Sequence, residues 1–306
     1  MSLRGRPGLT VRTRKGYFAP DAKAEEARSK AAAAAPEAAP ALPEAEAMAA
    51  LRAPVDAGDL PVTVRAEFAS LPPAGSQVLV SAHVDIARLR WREEGGRHRA
   101  LLDLVGGVFD AAGQPMGAPF GRRAELDVAP AELQRARAAG LSYQQWVPLG
   151  PGRYEVRMIA REPSLAQQGG ATERVDVPDL GDKALAMSAV FLSSPGSGEA
   201  GQSDAAAGRF QRGDNVSFQF YVYNPARDGA GAADLVFQAQ VWSGGKAIAA
   251  SRPQPARLQA KDGVPVPETN SMGLEGLAPG AYELRVVVED RKARATTLRR
   301  VAFTIE

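Results

Sequence analysis

Leu149-Gly150-Pro151-Gly152-Arg153-Tyr154-Glu155-Val156-Arg157 returns towards the other end of the chain as Leu277-Ala278-Pro279-Gly280-Ala281-Tyr282-Glu283-Leu284-Arg285. In each copy a Pro-Gly turn feeds a run in which every second residue is apolar: Tyr154, Val156, Met158 and Ala160, then Tyr282, Leu284, Val286 and Val288. Alternation of this kind after a turn is the mark of a half-buried strand. The intervening Glu155, Arg157, Glu283 and Arg285 are then expected to face water. One sentence written twice predicts two consecutive domains of one architecture.

The length of 306 residues agrees, since it suits about two domains of ordinary size, each with its own core. Cysteine is absent, which excludes disulfides, thiolate metal sites and cysteine nucleophiles. Net charge is +2, and the basic residues are scattered along strands instead of gathered in a stripe, so no nucleic-acid footprint is visible. The one basic cluster, Arg4, Arg6, Arg12, Arg14 and Lys15, reads as the solvated face of a strand. The longest apolar run, Leu185 to Leu192, falls far short of the ~20 residues a membrane-spanning helix needs. Met1-Ser2-Leu3-Arg4 carries no apolar signal region, so an export signal, if the protein has one, is expected upstream of this start.

Four segments follow. Residues 1–20 hold one alternating strand, with Leu9, Val11 and Thr13 on one side, ending at Gly16-Tyr17. Residues 21–59 are rich in Ala, Pro and Glu and read as a linker, helical only in pieces such as Ala22 to Ala35 and Glu44 to Leu51, because its prolines break any long helix. With few large apolar residues it is expected to bury little. Residues 60–180 form a first β-domain, with a short helix at 130–139 between Pro130 and Gly140. Residues 183–306 form a second, with strands near 185–192, 215–223, 234–243, 281–290 and 297–305. The fold class is all-β: tandem sandwiches of immunoglobulin or fibronectin-III type. In such sandwiches a tyrosine near the start of a late strand often bonds back to the preceding turn, and Tyr154 and Tyr282 stand in that position; a buried aromatic with no special bond fits them equally well.

The stretch from Arg6 to Pro20, with its Arg14-Lys15-Gly16-Tyr17 ending, resembles the closing strand of the von Willebrand factor A-like domain in VWFA-related proteins of Acidobacteria and similar bacteria. Residues 60–306 are similar to the β-rich region that follows that domain. The resemblance implies an extracytoplasmic setting and a non-catalytic role. The A domain's metal site needs Asp-x-Ser-x-Ser, which is absent here; Asp214-Asn215-Val216-Ser217 fails the register.

The sequence holds little that points to chemistry. Two histidines exist. Strand phase puts His83 on an outer face with Ser81 and Asp85, solvated, and His98 at the polar hairpin tip Glu93 to His98. Neither pattern supplies the three or four ligands of a zinc site. No Gly-x-Ser-x-Gly elbow is present. Gly196 to Ser203 approaches a phosphate loop but has glutamine where the lysine belongs. Adjacent carboxylates, Glu93-Glu94 and Glu289-Asp290, point to opposite faces of their strands. Arg212-Gly213-Asp214 reads as turn chemistry. No catalytic residue, metal ligand or cofactor is assigned.

One surface remains. If Phe218, Phe220 and Val222 are core, and likewise Leu235, Phe237, Ala239 and Val241, then Tyr221, Tyr223, Gln238, Gln240 and Trp242 lie on the outer face of the second domain. Rings interleaved with amides suit a protein partner or a sugar. They suit burial against the other domain or a partner chain better still, because large exposed aromatic patches usually become covered. The sequence therefore predicts a non-catalytic interaction or spacer module, extracytoplasmic by family resemblance, with a protein or cell-surface polysaccharide as partner. The alternative is a carbohydrate-binding module that uses the aromatic face.

Overall fold

Alternating residues need a ladder on each side, and the computed structural model shows where each ladder lies. It describes residues 11–12, 42–53, 58–164, 167–194, 208–256, 259–261 and 264–306. The chain opens with β1 (Val11–Arg12) and helix α1 (Glu44–Arg52). The first sandwich follows, with β2 (Val62–Leu71), β3 (Gly75–Val84), β4 (Arg92–Glu94), β5 (Arg97–Asp110) and β6 (Phe120–Val128), then β7 (Leu141–Pro148), β8 (Gly152–Glu162) and β9 (Gln167–Val177). One sheet runs β2-β3-β7. The other runs β6-β5-β8-β9, with the short β4 folded back on β5. Pairing is antiparallel throughout. Val64, Phe68, Val78, Val80, Leu102, Leu104, Val156 and Met158 fill the space between the sheets.

The segment predicted to be a helix at 130–139 is a 3-10 turn, Pro130–Glu132, continued by α2 (Leu133–Ala139). Pro130 needs no N–H donor there, and Gly140 ends the helix at φ 68°, a conformation that favours glycine. α2 carries the chain from one sheet to the other.

The second sandwich contains β10 (Ala186–Met187), β11 (Phe191–Ser193), β12 (Arg209–Phe210), β13 (Asn215–Phe220), β14 (Val222–Tyr223), β15 (Leu235–Ser243) and β16 (Lys246–Ala250). It continues with β17 (Gln254–Pro255), the hairpin of β18 (Gln259–Lys261) and β19 (Val264–Val266), then β20 (Glu268–Gly273), β21 (Gly280–Asp290) and β22 (Ala295–Ile305). One sheet runs β11-β13-β20, with β1 added beyond β20. The other runs β12-β22-β21-β15-β16. Strand for strand, β2, β3 and β7 correspond to β11, β13 and β20, and β6, β5, β8 and β9 correspond to β16, β15, β21 and β22. The registers agree: Glu155 lies opposite Phe109, and Glu283 opposite Trp242. The chain is thus all-β, two tandem sandwiches of the immunoglobulin/fibronectin-III-like kind, each with its own core.

The repeated Tyr makes the same bond in both. Tyr154 donates its hydroxyl to the carbonyl of Gly150 at 3.0 Å, and Tyr282 donates to Ala278 at 2.6 Å, which is the tyrosine corner of such sandwiches. The Glu and Arg that follow depart from expectation. Glu155, Arg157, Glu283 and Arg285 are half-buried, each Glu paired with the Arg two residues on.

The linker also departs from expectation. Its second helical piece is α1, with Glu44 and Glu46 in the first turn and Arg52 in the last, in accord with the helix dipole. Its first piece, Ala22 to Ala35, lies outside the described residues. α1 is no idle spacer: Leu42, Ala47 and Leu51 are buried against Val105 and Phe109 on the outer face of β5. The contact is close because residue 107 is glycine; a Cβ there would stand 2.7 Å from Leu51 Cδ1. Few apolar residues suffice when the receiving strand supplies the shape.

Candidate interaction surface

β13 sends Val216, Phe218 and Phe220 into its own core, and the chain leaves that ladder at Tyr221. β14 then pairs with β10 instead. The alternation carries on, so Val222 packs on the second core while Tyr221 and Tyr223 point the other way. What lies there is the first sandwich. Tyr223 is buried, its ring edge-on to Phe68 at 6.0 Å, and its oxygen accepts the backbone N–H of Ser70 at 2.8 Å. Burial pushes the phenol up to about 12 against the opposing effect of that N–H, so it stays neutral. Ser188 Oγ accepts from Tyr221 N at 2.9 Å and donates to Ala189 O at 2.6 Å, while Ala189 N donates to Phe68 O at 2.8 Å. Asn224, at φ 53°, donates its amide to the carbonyl of Leu180 at 2.9 Å. The junction is stitched at backbone level, which leaves few ways for the halves to slide.

The same contact overturns the reading of His83. Its ring is buried, with Nδ1 3.2 Å from Ser142 Oγ and Nε2 3.1 Å from Arg209 Nη2. Arginine only donates, so Nε2 is the acceptor and Nδ1 carries the proton. Phase placed His83 on the outer face correctly; it did not tell that the second sandwich lies on it. Gly140 is part of this fit, since a Cβ there would come within 2.4 Å of the imidazole. On the same face Arg65 stands 3.8 Å from Glu67, whose carboxyl burial pushes above its ordinary range.

Gln238, Gln240 and Trp242 lie on β15, in the opposite sheet of the sandwich from β13 and β14. The five candidate residues therefore do not share a surface. Tyr221 and Tyr223 face the first domain, and the other three form a ladder on the far side. Trp242 Nε1 donates to Gln240 Oε1 at 3.0 Å, Gln240 Nε2 to Gln238 Oε1 at 2.9 Å, and Gln238 Nε2 to Ser251 O at 2.9 Å. The guanidinium of Arg285 sits 3.6 Å from the Trp242 ring centroid, covering one ring face. This is the second copy of a device in the first sandwich, where Arg157 lies 4.4 Å from the ring centroid of Phe109. There α1 covers the platform, and Arg157 Nη1 donates to Leu51 O at 3.0 Å. In the second copy Gln240 stands where the first has Gly107, in the same register opposite the arginine. Glutamine side chains occupy the room that a helix takes in the first domain.

Trp146 escaped the sequence reading. Its side chain is 38% exposed, 6.5 Å from the ring of Phe191. The signal was available: on β7 the buried Tyr143 fixes the phase, and Trp146 falls outward, paired with Leu79. Arg212-Gly213-Asp214 forms a turn, with Asp214 Oδ2 accepting from Gln211 N at 2.9 Å and Gly213 at φ 95°. The loop Gly196 to Ser203 lies outside the described residues. Among the described residues, no group of three or more His, Asp or Glu is placed to hold a metal ion, and no helix is long and apolar enough to cross a membrane.

No family model and no curated protein matches the chain. Among solved structures it is similar to the C-terminal domain of the AgI/II polypeptide BspA of Streptococcus agalactiae, at 9% identity and a TM-score of 0.22, over 80% of this chain and 100% of that one. The fold assignment stands on the strand order itself.

Proposed function

We propose that this chain is a non-catalytic spacer and interaction module of an exported VWFA-related bacterial protein, holding two sandwiches in fixed relation outside the cytoplasm and meeting a protein or cell-surface partner. The observation that carries the reading is the junction, where Tyr223 of one sandwich enters the core cluster of the other and receives the Ser70 N–H. A spacer transmits orientation only if its joints do not swivel. Buried aromatic packing with paired backbone groups is how a joint is made stiff. The Arg14-Lys15-Gly16-Tyr17 ending supports the family, and the family supports the exported setting.

Stiffness is measurable because the chain has no cysteine. Spin labels at Arg153→Cys and Lys246→Cys, one on each sandwich, are expected to give a single narrow distance distribution that broadens in Tyr223→Ala. A broad distribution in the parent chain sinks the spacer reading. The carbohydrate alternative rests on the half-buried Trp242 ring and its amide ladder. Calorimetric titration with soluble cell-wall polysaccharide, lost on Trp242→Ala, would favour it. The Arg285 guanidinium on that ring argues for the spacer, since it takes a face a sugar would need. Turnover of a chromogenic substrate panel by the pure chain would overturn both.

A further inference from the structure

The sheet β2-β3-β7 ends on β7, and among the described residues no strand pairs with the outer edge of β7. Leu149 N donates to Ser76 O in the register of the β3–β7 ladder, so the odd-numbered residues of β7 exchange their backbone bonds with β3. The N–H and C=O groups of the even-numbered residues therefore point away from the sheet. An edge of this kind is a template for another strand, and proteins blunt it with charged side chains. Every other edge strand of four residues or more, among the described residues, carries them: Arg65 and Glu67 on β2, Arg122 and Asp127 on β6, Glu173 and Arg174 on β9, Lys246 on β16. β7, Leu-Ser-Tyr-Gln-Gln-Trp-Val-Pro, carries none. It presents Gln144, Gln145 and Trp146 instead, all exposed, and Trp146 is the most exposed aromatic side chain among the described residues.

We propose that β7 is a dimerisation edge and that its occupant is β7 of a second copy of this chain, paired antiparallel about a two-fold axis that passes between the two Gln145 residues. That axis sets Gln144 opposite Trp146 of the second copy. Both residues have outward N–H and C=O groups, so they exchange both bonds, and the two-fold repeats the exchange. Trp146 O also accepts from Gln145 Nε2 at 3.1 Å, and its second lone pair is left for the incoming N–H. The same register sets Pro148, which has no N–H to give, opposite Ser142, whose carbonyl already accepts from Arg122 Nη2 at 3.2 Å. Moving the axis onto Gln144 would aim the Trp146 N–H at that occupied carbonyl instead. Directly opposed residues share a face, so each Trp146 ring lies beside Gln144 of the second copy, and the two rings stand diagonally across the axis. No charge on β7 opposes its like. This goes beyond the spacer reading and does not rest on it, because the edge is the same whether or not the junction is stiff.

Gln145 is exposed and sits on the axis, so a charge placed there meets its own copy without disturbing a core. In sedimentation the parent chain is expected to be a dimer, and Gln145→Lys and Gln145→Glu each a monomer, because like charges would stand directly opposed. Mixing the two variants is expected to restore the dimer, since the ammonium then faces a carboxylate. A parent chain that stays monomeric up to about 1 mM overturns the proposal. So does a mixture that stays monomeric, or a dimer that both variants leave intact, which would lie on another surface. The cysteine-free background reads the register. Gln145→Cys puts both thiols at a non-hydrogen-bonded pair, within the reach of a disulfide. Under mild oxidation it is expected to give a covalent dimer at least roughly tenfold faster than Gln144→Cys, as effective concentration at a paired site dictates. An equal or faster rate for Gln144→Cys overturns the pairing about Gln145.

Discussion

The oxygen of Tyr223 receives the backbone N–H of Ser70 at 2.8 Å, and these two residues belong to different sandwiches. Tyr223→Phe keeps the ring against Phe68 and leaves that N–H without its acceptor, a loss of about 1–3 kcal/mol. Tyr223→Ala also empties the ring site, at about 3–5 kcal/mol. Urea unfolding followed by tryptophan fluorescence checks both. The parent chain should unfold in one transition and the Ala variant in two, because the junction is what couples the cores. One transition of unchanged midpoint in both variants would deny the junction this role.

The tyrosine corners should be separable by a single oxygen. Tyr154→Phe and Tyr282→Phe each delete one hydroxyl bond, to Gly150 and Ala278, and each should lower stability by about 0.5–1.5 kcal/mol. The larger loss is expected at Tyr154, which is buried, whereas the Tyr282 bond is exposed to competing water. Denaturant midpoints of the two variants, compared with unchanged slopes, decide the order.

Much of this architecture was legible from alternation and turns. The repeated Pro-Gly-x-Tyr run located corresponding strands, and Pro130 with Gly140 bracketed α2. Strand phase was also right for Tyr221, Tyr223 and His83, as far as phase goes: it tells which face a residue takes and not what lies upon that face. β20 was invisible because Glu-Thr-Asn-Ser-Met-Gly is polar and its inward Asn270 breaks the apolar alternation. The docking of α1 was missed because its cause is a missing side chain at Gly107 on a strand far along the sequence. Alternation alone puts Gln238, Gln240 and Trp242 with the tyrosines, since one sequence does not tell which strands share a sheet.

Two carboxylates should bend the pH profile in opposite directions. Burial raises the Glu67 carboxyl above 4.5, with Arg65 opposing, so the folded state keeps this proton longer than the unfolded chain. Its contribution is present below 4.5 and lost as pH rises through the folded value. At Asp290 burial works upward, but the N–H groups of Ala293, Ala226 and Lys292 outweigh it and hold the carboxyl below 3.8. That contribution is present above 3.8 and lost as pH falls through the folded value. Glu67→Gln should therefore raise Tm at about pH 7.5 and change it little at about pH 4, while Asp290→Asn should lower Tm at about pH 7.5 and lose its effect in stronger acid. Thermal scans across that range read both signs.

α1 is held by shape, and shape can be removed from either side. Leu51→Ala deletes the side chain that rests on Gly107, and it should cost about 2–5 kcal/mol of whatever free energy docks the helix. Gly107→Ala attacks the same contact from the strand, pushing a methyl to within 2.7 Å of Leu51 Cδ1, with an expected cost of about 1–3 kcal/mol. The sandwich beneath keeps its own core, because Leu102, Leu104, Val156 and Met158 lie on the other side of the sheet. Limited proteolysis separates the two effects: cleavage within residues 42–53 should accelerate in either variant while residues 60–177 stay resistant. The double variant should be no worse than the more severe single one, since a shortened side chain at 51 makes room for the new methyl at 107. Additive losses would mean that the two residues do not meet, and that α1 is held by its ion pair between Glu46 and Arg161 and by the Arg157 bond to Leu51 O instead.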